Sequence, residues 1–290
     1  MKIVVGIDGS AESTDALRFA AAEAGATGAD LLAVTVWEVS THAARYLSQE
    51  HVDDAMIPWM GEFIDEVLGA KGADVTKLAA SGSAGGALLD AAADADQLVV
   101  GSRGLNRLQR TVLGSVSRQL ASHTPCPLTV IPPADVDGGV NDAGVAASGP
   151  VVVGIDGSAN SMTALQWAAQ RAVRTDSLLR VTMAWRGESA GWRPAPEFSD
   201  VLPADQVLEA QAQEMLDEAI QAAALPDSLR LETLLHEGSP KHALDEAAHG
   251  ASMLVLGTRG HGGFMGLLLG SVTSHTLDHL RCPTTVVPAA

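Results

Sequence analysis

The chain contains the same pattern of residues twice, and this internal duplication restricts its architecture more than any other feature of the sequence. The segment VVGIDGSAESTDALRFAAAEA begins at Val4, and VVGIDGSANSMTALQWAAQRA begins 148 residues later at Val152. Further along, VVGSRG at Val99 corresponds to VLGTRG at Val255, now 156 residues apart. Two copies of this length predict two domains, because a solenoid repeat is only about 20–45 residues long.

The joint between the copies has the composition of a linker. The stretch PPADVDGGVNDAGVAASGP is rich in Gly, Ala, Asp and Pro and almost lacks large apolar residues, which favours a flexible, solvated connection. We therefore predict a first domain at 1–132, a linker at 133–149 and a second domain at 150–290. The wider spacing of the later motifs indicates net extra residues in the second copy, and the Pro-rich segment Gly191–Asp205 is the predicted insertion.

Each half alternates short apolar segments with helical patterns. The apolar segments are IVVGI, LLAVTVW, VTKLA, QLVVGS and LTVIP in the first half, and VVVGI, LLRVTMAW, LRLETLLH, MLVLGT and TTVVP in the second. Their nearly continuous apolar character suits strands that are covered on both faces. The alternation with helices predicts a doubly wound, Rossmann-like α/β domain in each half, with a five-stranded parallel sheet.

Charge and hydropathy argue against two classes of partner. The formal net charge is −17, whereas a nucleic-acid partner requires a basic face. The alternative is a local basic patch, for which Arg103, Arg107, Arg110 and Arg118 are close enough in sequence. No apolar run reaches the roughly 18 residues of a membrane span, and the N-terminal segment MKIVVGIDGS lacks the features of a signal peptide, which predicts a cytoplasmic protein.

A glycine motif recurs in both halves with the spacing G-x-x-G, nine residues, G-S. It reads GSRGLNRLQRTVLGS at Gly101–Ser115 and GTRGHGGFMGLLLGS at Gly257–Ser271. The motif leaves a strand and ends where a helix begins, and free N–H groups at a helix N-terminus favour an anion. Glycines let the backbone approach that anion closely, so we predict a phosphate-binding loop. The alternative is a pair of structural turns, which a duplication would also repeat; neither copy is a Walker A loop.

The other side of each predicted site comes from the first strand, which ends with Asp8 in one half and Asp156 in the other. In open α/β sheets, ligands bind at the carboxyl ends of strands where the strand order reverses. A carboxylate beside phosphates would contact a ribose hydroxyl or share a Mg²⁺ ion. The alternative for Asp8 is to cap the following helix, a role that Ser10 would fill equally well.

These residues resemble the universal stress protein family, over nearly the whole chain and in both halves. The resemblance rests on VVGIDGS at both first strands, on the glycine motif, which marks the ATP-binding branch of the family, and on HEGSP in the second half. It implies the strand order 3-2-1-4-5 and one bound ATP in each half, with Mg²⁺ through the phosphates. It also implies an intramolecular pseudo-dimer, paired through the last strands as in the family's usual dimer, and leaves open a further homodimer.

The motifs and the resemblance together give two sets of nucleotide-binding residues. The first set is Ile7, Asp8, Val36, Gly101, Arg103, Gly104, Gly114, Ser115, Val116 and Ser117. The second set is Ile155, Asp156, Met183, Gly257, Arg259, Gly260, Gly270, Ser271, Val272 and Thr273. Within them, the resemblance places Ile7, Val36, Ile155 and Met183 on the adenine side, and the ribose and any Mg²⁺ near Asp8 and Asp156.

The two halves depart from each other within the predicted site. The first loop carries Asn106, Arg107 and Arg110, where the second has Gly262 and Gly263. The arginines would either strengthen phosphate binding or lie in solvent. Equal affinity at the two sites is therefore not expected.

The predicted function is that of a nucleotide-binding regulator of stress adaptation or growth arrest, acting on a protein partner that the sequence does not identify. The alternatives are a slow ATPase and a nucleotide-independent scaffold. No catalytic residue is predicted, because the sequence contains no HExxH motif and no cysteine–histidine pair in a motif context.

Histidines and cysteines receive structural interpretations. His236, His242, His249, His261, His275 and His279 cluster in the second half. Because most have no counterpart in the first half, we interpret them as solvated or locally bonded rather than as a metal site. Cys126 and Cys282 are interpreted as small buried residues rather than as a redox pair.

Overall fold

The structure is a computed structural model that describes residues 1–37, 49–104, 113–133, 149–185, 204–260 and 268–289. Most of the predicted linker and insertion lies outside these residues, as do Asn106, Arg107, Arg110, His261, Gly262 and Gly263 in the centres of the two glycine motifs. The domain boundaries therefore stay a prediction.

The described residues form alternating strands and helices in each half. The first half contains β1 (Lys2–Gly6), α1 (Ala11–Thr27), β2 (Asp30–Trp37), α2 (Gln49–Leu68), a 3₁₀ helix (Gly69–Asp74), β3 (Thr76–Ser81), α3 (Ala84–Ala91), β4 (Gln97–Gly101), α4 (Ser115–His123) and β5 (Leu128–Ile131). The second half contains β6 (Val151–Ile155), α5 (Ala159–Arg174), β7 (Leu179–Trp185), α6 (Ala204–Ala222), β8 (Leu231–Glu237), α7 (Pro240–Ala247), β9 (Met253–Gly257), α8 (Ser271–Asp278) and β10 (Thr284–Val287). This confirms the doubly wound α/β class that the alternating pattern predicts.

The strands join into one sheet with the order β3-β2-β1-β4-β5-β10-β9-β6-β7-β8. Each half has the expected order 3-2-1-4-5, and its neighbouring strands run parallel. The halves meet through the antiparallel pair β5 and β10, where the hydroxyls of Thr129 and Thr285 lie 2.9 Å apart. The two five-stranded sheets of the sequence interpretation are therefore continuous with each other.

Helices cover the sheet on both faces. On one face, α1, α2, α5 and α6 pack in a core that includes Val5 of β1 and Val153 of β6. On the other face, α3 and α4 pack on residues that include Val4, and α7 packs on Val152. Alternate residues of the same strand thus enter opposite cores, which explains why the strands are apolar throughout.

Two ion pairs connect helices of the first half to helices of the second. Glu23 of α1 pairs with Arg171 of α5, and both side chains are buried on one face of the sheet. Arg118 of α4 pairs with Asp278 of α8 on the other face. The junction between the halves is therefore made of side-chain contacts on both faces as well as of the shared strand pairing.

Candidate functional site

A cavity of about 220 Å³ opens in the second half, at the carboxyl ends of its central strands. Strand β6 lies between β7 and β9. The helix after β6 covers one face of the sheet, and the helix after β9 begins beside the other. The cavity therefore lies at the switch point where ligands of open α/β sheets bind. Its wall residues are Gly154, Ile155, Asp156, Ser161, Thr182, Ala184, Pro240, Ala243, Leu244, Leu256, Gly257, Arg259, Gly260, Leu269, Gly270, Ser271, Val272 and Thr273.

The first strand of each half ends before its aspartate, at Gly6 or Ile155 rather than at Asp8 or Asp156, and the carboxylate lies directly against the glycine loop. A Cβ atom built on Gly260 would stand 2.0 Å from Asp156 Oδ2, and one built on Gly104 would stand 2.6 Å from Asp8 Oδ2. Both distances are shorter than a non-bonded contact between a carbon and an oxygen atom can be. A side chain at either glycine would therefore have to displace the carboxylate. The structure thus brings the two parts of each predicted site together.

The helix after strand one is capped by serine. Ser10 Oγ accepts a hydrogen bond of 3.1 Å from the Ser13 backbone N–H at the start of α1. Asp8 Oδ1 instead accepts from the Ser10 backbone N–H, at 2.9 Å. Asp156 accepts from Ser158 in the same way, at 3.1 Å. The capping role that the sequence left open between Asp8 and Ser10 is therefore filled by Ser10.

The helices that follow the glycine loops begin differently. Gly114 precedes α4 and Gly270 precedes α8, and neither helix start has a side-chain cap. The backbone N–H of Gly114 donates to Ser102 O at 2.9 Å, and that of Gly270 donates to Thr258 O at 2.8 Å. Each loop is thereby held at its strand while the first N–H groups of the helix keep their partial positive charge for another acceptor.

The first glycine of each motif has a packing role. A Cβ at Gly101 would lie 2.8 Å from the backbone carbon of Glu12, and one at Gly257 would lie 2.9 Å from Asn160 Cγ. The strand end and the first turn of the neighbouring helix approach too closely for a side chain. This glycine therefore allows close packing on α1 or α5, and in the second half it also lines the cavity; the expected role beside an anion stays a prediction.

The hydroxyl residues of the motif divide into two kinds. Ser117 donates to Gly101 O at 2.9 Å, and Thr273 donates to Gly257 O at 2.8 Å, so both are buried and fasten the helix to the strand. Ser115 and Ser271, at the first position of each helix, are exposed. Of the predicted hydroxyl donors, these two are the ones available to a ligand.

Of the two residues predicted to contact adenine in the second half, one lines the cavity and the other does not. Ile155 lines the cavity, but Met183 lies on the opposite face of the sheet, in the core under α5 and α6. Its neighbours Thr182 and Ala184 line the cavity instead, because successive residues of a strand point to opposite faces. In the first half, Ile7 packs in the same core as its counterpart Ile155, and its role beside adenine stays a prediction.

The remaining predicted residues are valines and the arginine of each glycine loop. Val36 aligns with Ala184, since each immediately precedes the tryptophan that ends its strand, and it packs on the same face as α3 and α4. Val116 packs there too, and its counterpart Val272 lines the cavity. Arg259 also lines the cavity, whereas Arg103 pairs with Glu12 at 3.4 Å.

The wall residues that were not predicted from the sequence include two groups with a clear structural origin. Thr182 and Ala184 required the strand register, which apolar sequence alone does not reveal. Pro240, Ala243 and Leu244 come from α7, directly after the HEGSP segment. That segment carries the family resemblance, and its position before a helix is the signal that could have pointed to α7.

Fold and site together define a protein of two fused, doubly wound α/β halves, each with a glycine loop between a strand-one aspartate and an uncapped helix start. None of the helices in the described part of the chain combines the length and apolar character that a membrane span requires.

Comparison with known proteins agrees with this class. The model of the universal stress protein family matches residues 1–132 and again residues 148–288. A universal stress protein of Mycolicibacterium smegmatis is 31% identical over 301 residues, covering 98% of this chain and 96% of its own. One from Mycobacterium tuberculosis is 29% identical over 293 residues, covering 98% and 96%. The crystal structure of a universal stress protein from Archaeoglobus fulgidus covers 100% of this chain and 98% of its own with a TM-score of 0.68; at 19% identity it shows a common fold. The chain belongs to the universal stress protein family.

Proposed function

We propose that each half binds one adenine nucleotide, ATP with Mg²⁺, and that nucleotide occupancy regulates the conformation or partner binding of the whole chain. The observation that carries the proposal is the contact between Gly260 and Asp156 beside the uncapped start of α8. It places a carboxylate, a cradle without side chains and a positive helix end around one cavity. A nucleotide would use the carboxylate for its ribose, the glycine cradle for its phosphates and the helix end for the phosphate charge.

The adenosine part would occupy the cavity, with the base against Ala184 and Leu244. Thr182 supports a polar ligand here, because its buried hydroxyl oxygen has no hydrogen-bond partner among the described residues. Such an atom is costly unless something satisfies it. The volume of about 220 Å³ is below the roughly 300–1,000 Å³ of a pocket for a whole drug-sized ligand. The phosphates would therefore lie at its mouth, by Arg259 and Ser271.

Magnesium would neutralise part of the phosphate charge, since it binds phosphate oxygens and carboxylates. Asp156, and Asp8 in the first half, are carboxylates that lie against the second glycine of each loop. Within the chain, the N–H groups at the start of α4 and α8 would hold the remaining negative charge.

A regulatory role is supported by the way the two halves are joined. The nucleotide would contact β6, β9 and α8, and α8 also pairs with α4 of the other half through Asp278 and Arg118. A ligand shifts a conformational equilibrium only as far as it binds one state better than the other. Contacts that reach the interface between the halves would give the nucleotide such a difference in affinity. The biological output expected is stress adaptation or growth arrest.

The test is the double variant Gly104→Arg with Gly260→Arg. We expect the fold to remain and ATP binding to fall below detection, because each new side chain occupies the space between carboxylate and phosphate. The control is Gly25→Arg, which adds the same side chain to α1 at an exposed glycine, where a Cβ atom would meet no other atom within 4 Å. Unchanged ATP binding in a folded double variant would overturn the site assignment.

The same titration separates the regulator from the other candidates. A regulator retains ATP with little turnover, and its occupancy changes oligomeric state or partner binding. Steady release of ADP and phosphate, lost in the double variant, would instead indicate an ATPase. Absence of binding in the parent protein up to millimolar ATP with Mg²⁺ would favour a scaffold.

A further inference from the structure

A cluster of three potential metal ligands lies in the second half, outside the cavity. His236 is on β8, and His242 and Glu246 are one turn apart on α7. The ligand atoms of the three side chains all lie within 4.8 Å of one another. We propose that these residues form a binding site for a single Zn²⁺ ion.

The distances suit a tetrahedral metal centre. His236 Nδ1 lies 3.5 Å from one oxygen of Glu246, and His242 Nε2 lies 3.3 Å from the other. In a tetrahedral zinc site with bonds of roughly 2.0–2.1 Å, neighbouring ligand atoms are about 3.3 Å apart. The two imidazole rings face each other edge to face with centroids 5.6 Å apart, and their ligand nitrogens lie within 4.8 Å of each other.

The ligand set and its exposure indicate the kind of site. Two imidazoles and one carboxylate are typical of Zn²⁺ and other borderline transition metals rather than of Mg²⁺ or Ca²⁺, which prefer oxygen ligands. The side chains are 26%, 65% and 57% exposed for His236, His242 and Glu246, which leaves a fourth position open to water. The site would therefore exchange metal with solution rather than bury it permanently.

The first half provides an internal comparison. Aligned through the strand and helix that carry the cluster, His236 corresponds to Ala80, His242 to Gly86 and Glu246 to Asp90. Only the carboxylate is retained, so the first half cannot form the same site. The site would be a property of the second half, and the chain would bind one ion there rather than two.

The cluster connects β8 to the helix that forms one wall of the cavity. Ala243 and Leu244, which line the cavity, are adjacent in sequence to His242 and precede Glu246 on the same helix. An ion bound to both elements would fix α7 against β8. Because such an ion binds the folded chain and has no equivalent site in the unfolded chain, it would raise the melting temperature.

The experiment uses the full chain, dialysed against a chelator and kept free of nucleotide, so that its outcome is independent of ATP binding. Co²⁺ serves as the spectroscopic probe, because its visible absorption reports four-coordinate geometry, and Zn²⁺ then displaces it. We expect one Co²⁺ per chain with a tetrahedral spectrum, displaced by one Zn²⁺, and a higher melting temperature with Zn²⁺.

The variants His242→Ala and Glu246→Gln alter exposed side chains and should leave the fold intact. Each is expected to weaken Zn²⁺ binding by more than about tenfold, since even residues behind the ligands contribute 10–100-fold. The control is His279→Ala, which removes another histidine of the same half whose Nδ1 is 2.9 Å from the His275 carbonyl oxygen. Equal Zn²⁺ affinity in the parent and both ligand variants, or no tetrahedral Co²⁺ spectrum in the parent, would overturn the proposal.

Discussion

Arg103 Nη2 lies 3.4 Å from Glu12 Oε1 beside the first glycine loop, and the aligned position in the second half is the uncharged Asn160. Asn160 Nδ2 donates instead to Thr258 Oγ1 at 2.8 Å and to Arg259 O at 3.2 Å. Glu12 and Asn160 are both buried against the first glycine of their motif. The two candidate sites therefore differ by a buried carboxylate close to where phosphates are proposed to bind.

Replacing that carboxylate should strengthen anion binding in the first half. We expect Glu12→Asn, made in a Gly260→Arg background that leaves one site, to raise ATP affinity by about tenfold, because a unit charge some 8 Å away at an effective dielectric constant near 20 is worth roughly 1–2 kcal/mol. The reciprocal change Asn160→Glu, in a Gly104→Arg background, should lower affinity similarly. Calorimetric titration with ATP measures both.

The control for charge alone is Glu66→Asn, on an exposed position of α2. It removes the same charge from the chain and should leave ATP affinity unchanged. An affinity that responds equally to Glu66→Asn and Glu12→Asn would point to overall charge rather than to this ion pair.

The cavity wall gives a second prediction, based on strand alternation. Ala184→Leu adds three carbon atoms on the face that lines the cavity, and it should weaken nucleotide binding in the second half by at least about tenfold. Met183→Leu is the matched control, since Met183 lies in the opposite core and this swap conserves volume. If Met183→Leu weakens binding and Ala184→Leu does not, the adenine side has been placed on the wrong face.

The buried pair Glu23 and Arg171 predicts a large effect on stability. Removing one partner of a buried ion pair costs about 3–5 kcal/mol, because the other charge stays buried without compensation. Arg171→Ala should therefore lower the free energy of unfolding by this amount in urea denaturation. Arg230→Ala is the control, since Arg230 and Asp176 pair at the surface with side chains 61% and 100% exposed, and should cost less than about 1 kcal/mol.

A replacement of both buried partners distinguishes charge from packing. Glu23→Leu combined with Arg171→Met should recover most of the stability that Arg171→Ala loses. A single variant as stable as the parent protein would mean that the pair does not hold the halves together.

Both cysteines are buried free thiols, which confirms their interpretation as small core residues. Burial raises the pKa of Cys126 to about 11 and that of Cys282 to about 12. The folded thiols therefore keep their protons at a pH where unfolded thiols ionise, so stability is complete below about pH 8.5 and falls as pH rises towards 11–12. Thermal melts between pH 8 and 10.5 should show this decline.

The double variant Cys126→Ala with Cys282→Ala should show a shallower decline over the same range. In the folded parent at pH 8, neither thiol should react with a disulfide reagent within the time that a denatured sample takes to react fully. Rapid labelling of a folded thiol would contradict the burial.

Much of the fold could be predicted because the chain presents it twice. Repeated strand patterns and the paired offsets of Val4 with Val152 and Val99 with Val255 led to the correct class and, with the family resemblance, to the strand order in each half. That the halves share one sheet through β5 and β10 was expected only from the resemblance, because LTVIP and TTVVP are apolar on both faces and do not specify an edge partner.

The site was less predictable, for physical reasons. A fully buried strand gives no polar alternation to show which of its faces meets the cavity. The sequence analysis therefore predicts Met183 as a site residue, whereas its neighbours Thr182 and Ala184 line the cavity. The ion pair of Glu12 with Arg103 joins residues far apart in sequence and required the fold. The signal for the histidine cluster was present, as His242 and Glu246 lie four apart on a predicted helix, but His236 joins them only through the β8–α7 turn.

The most direct test of nucleotide binding in both halves is to count the nucleotide bound per chain. The purified protein is equilibrated with ATP and Mg²⁺ at saturating concentration, separated from unbound ligand, denatured, and analysed for adenine nucleotides. We expect close to two nucleotides per chain, mostly as ATP, and close to one in either Gly104→Arg or Gly260→Arg alone. No bound nucleotide in the parent protein, or two in the double arginine variant, would contradict it.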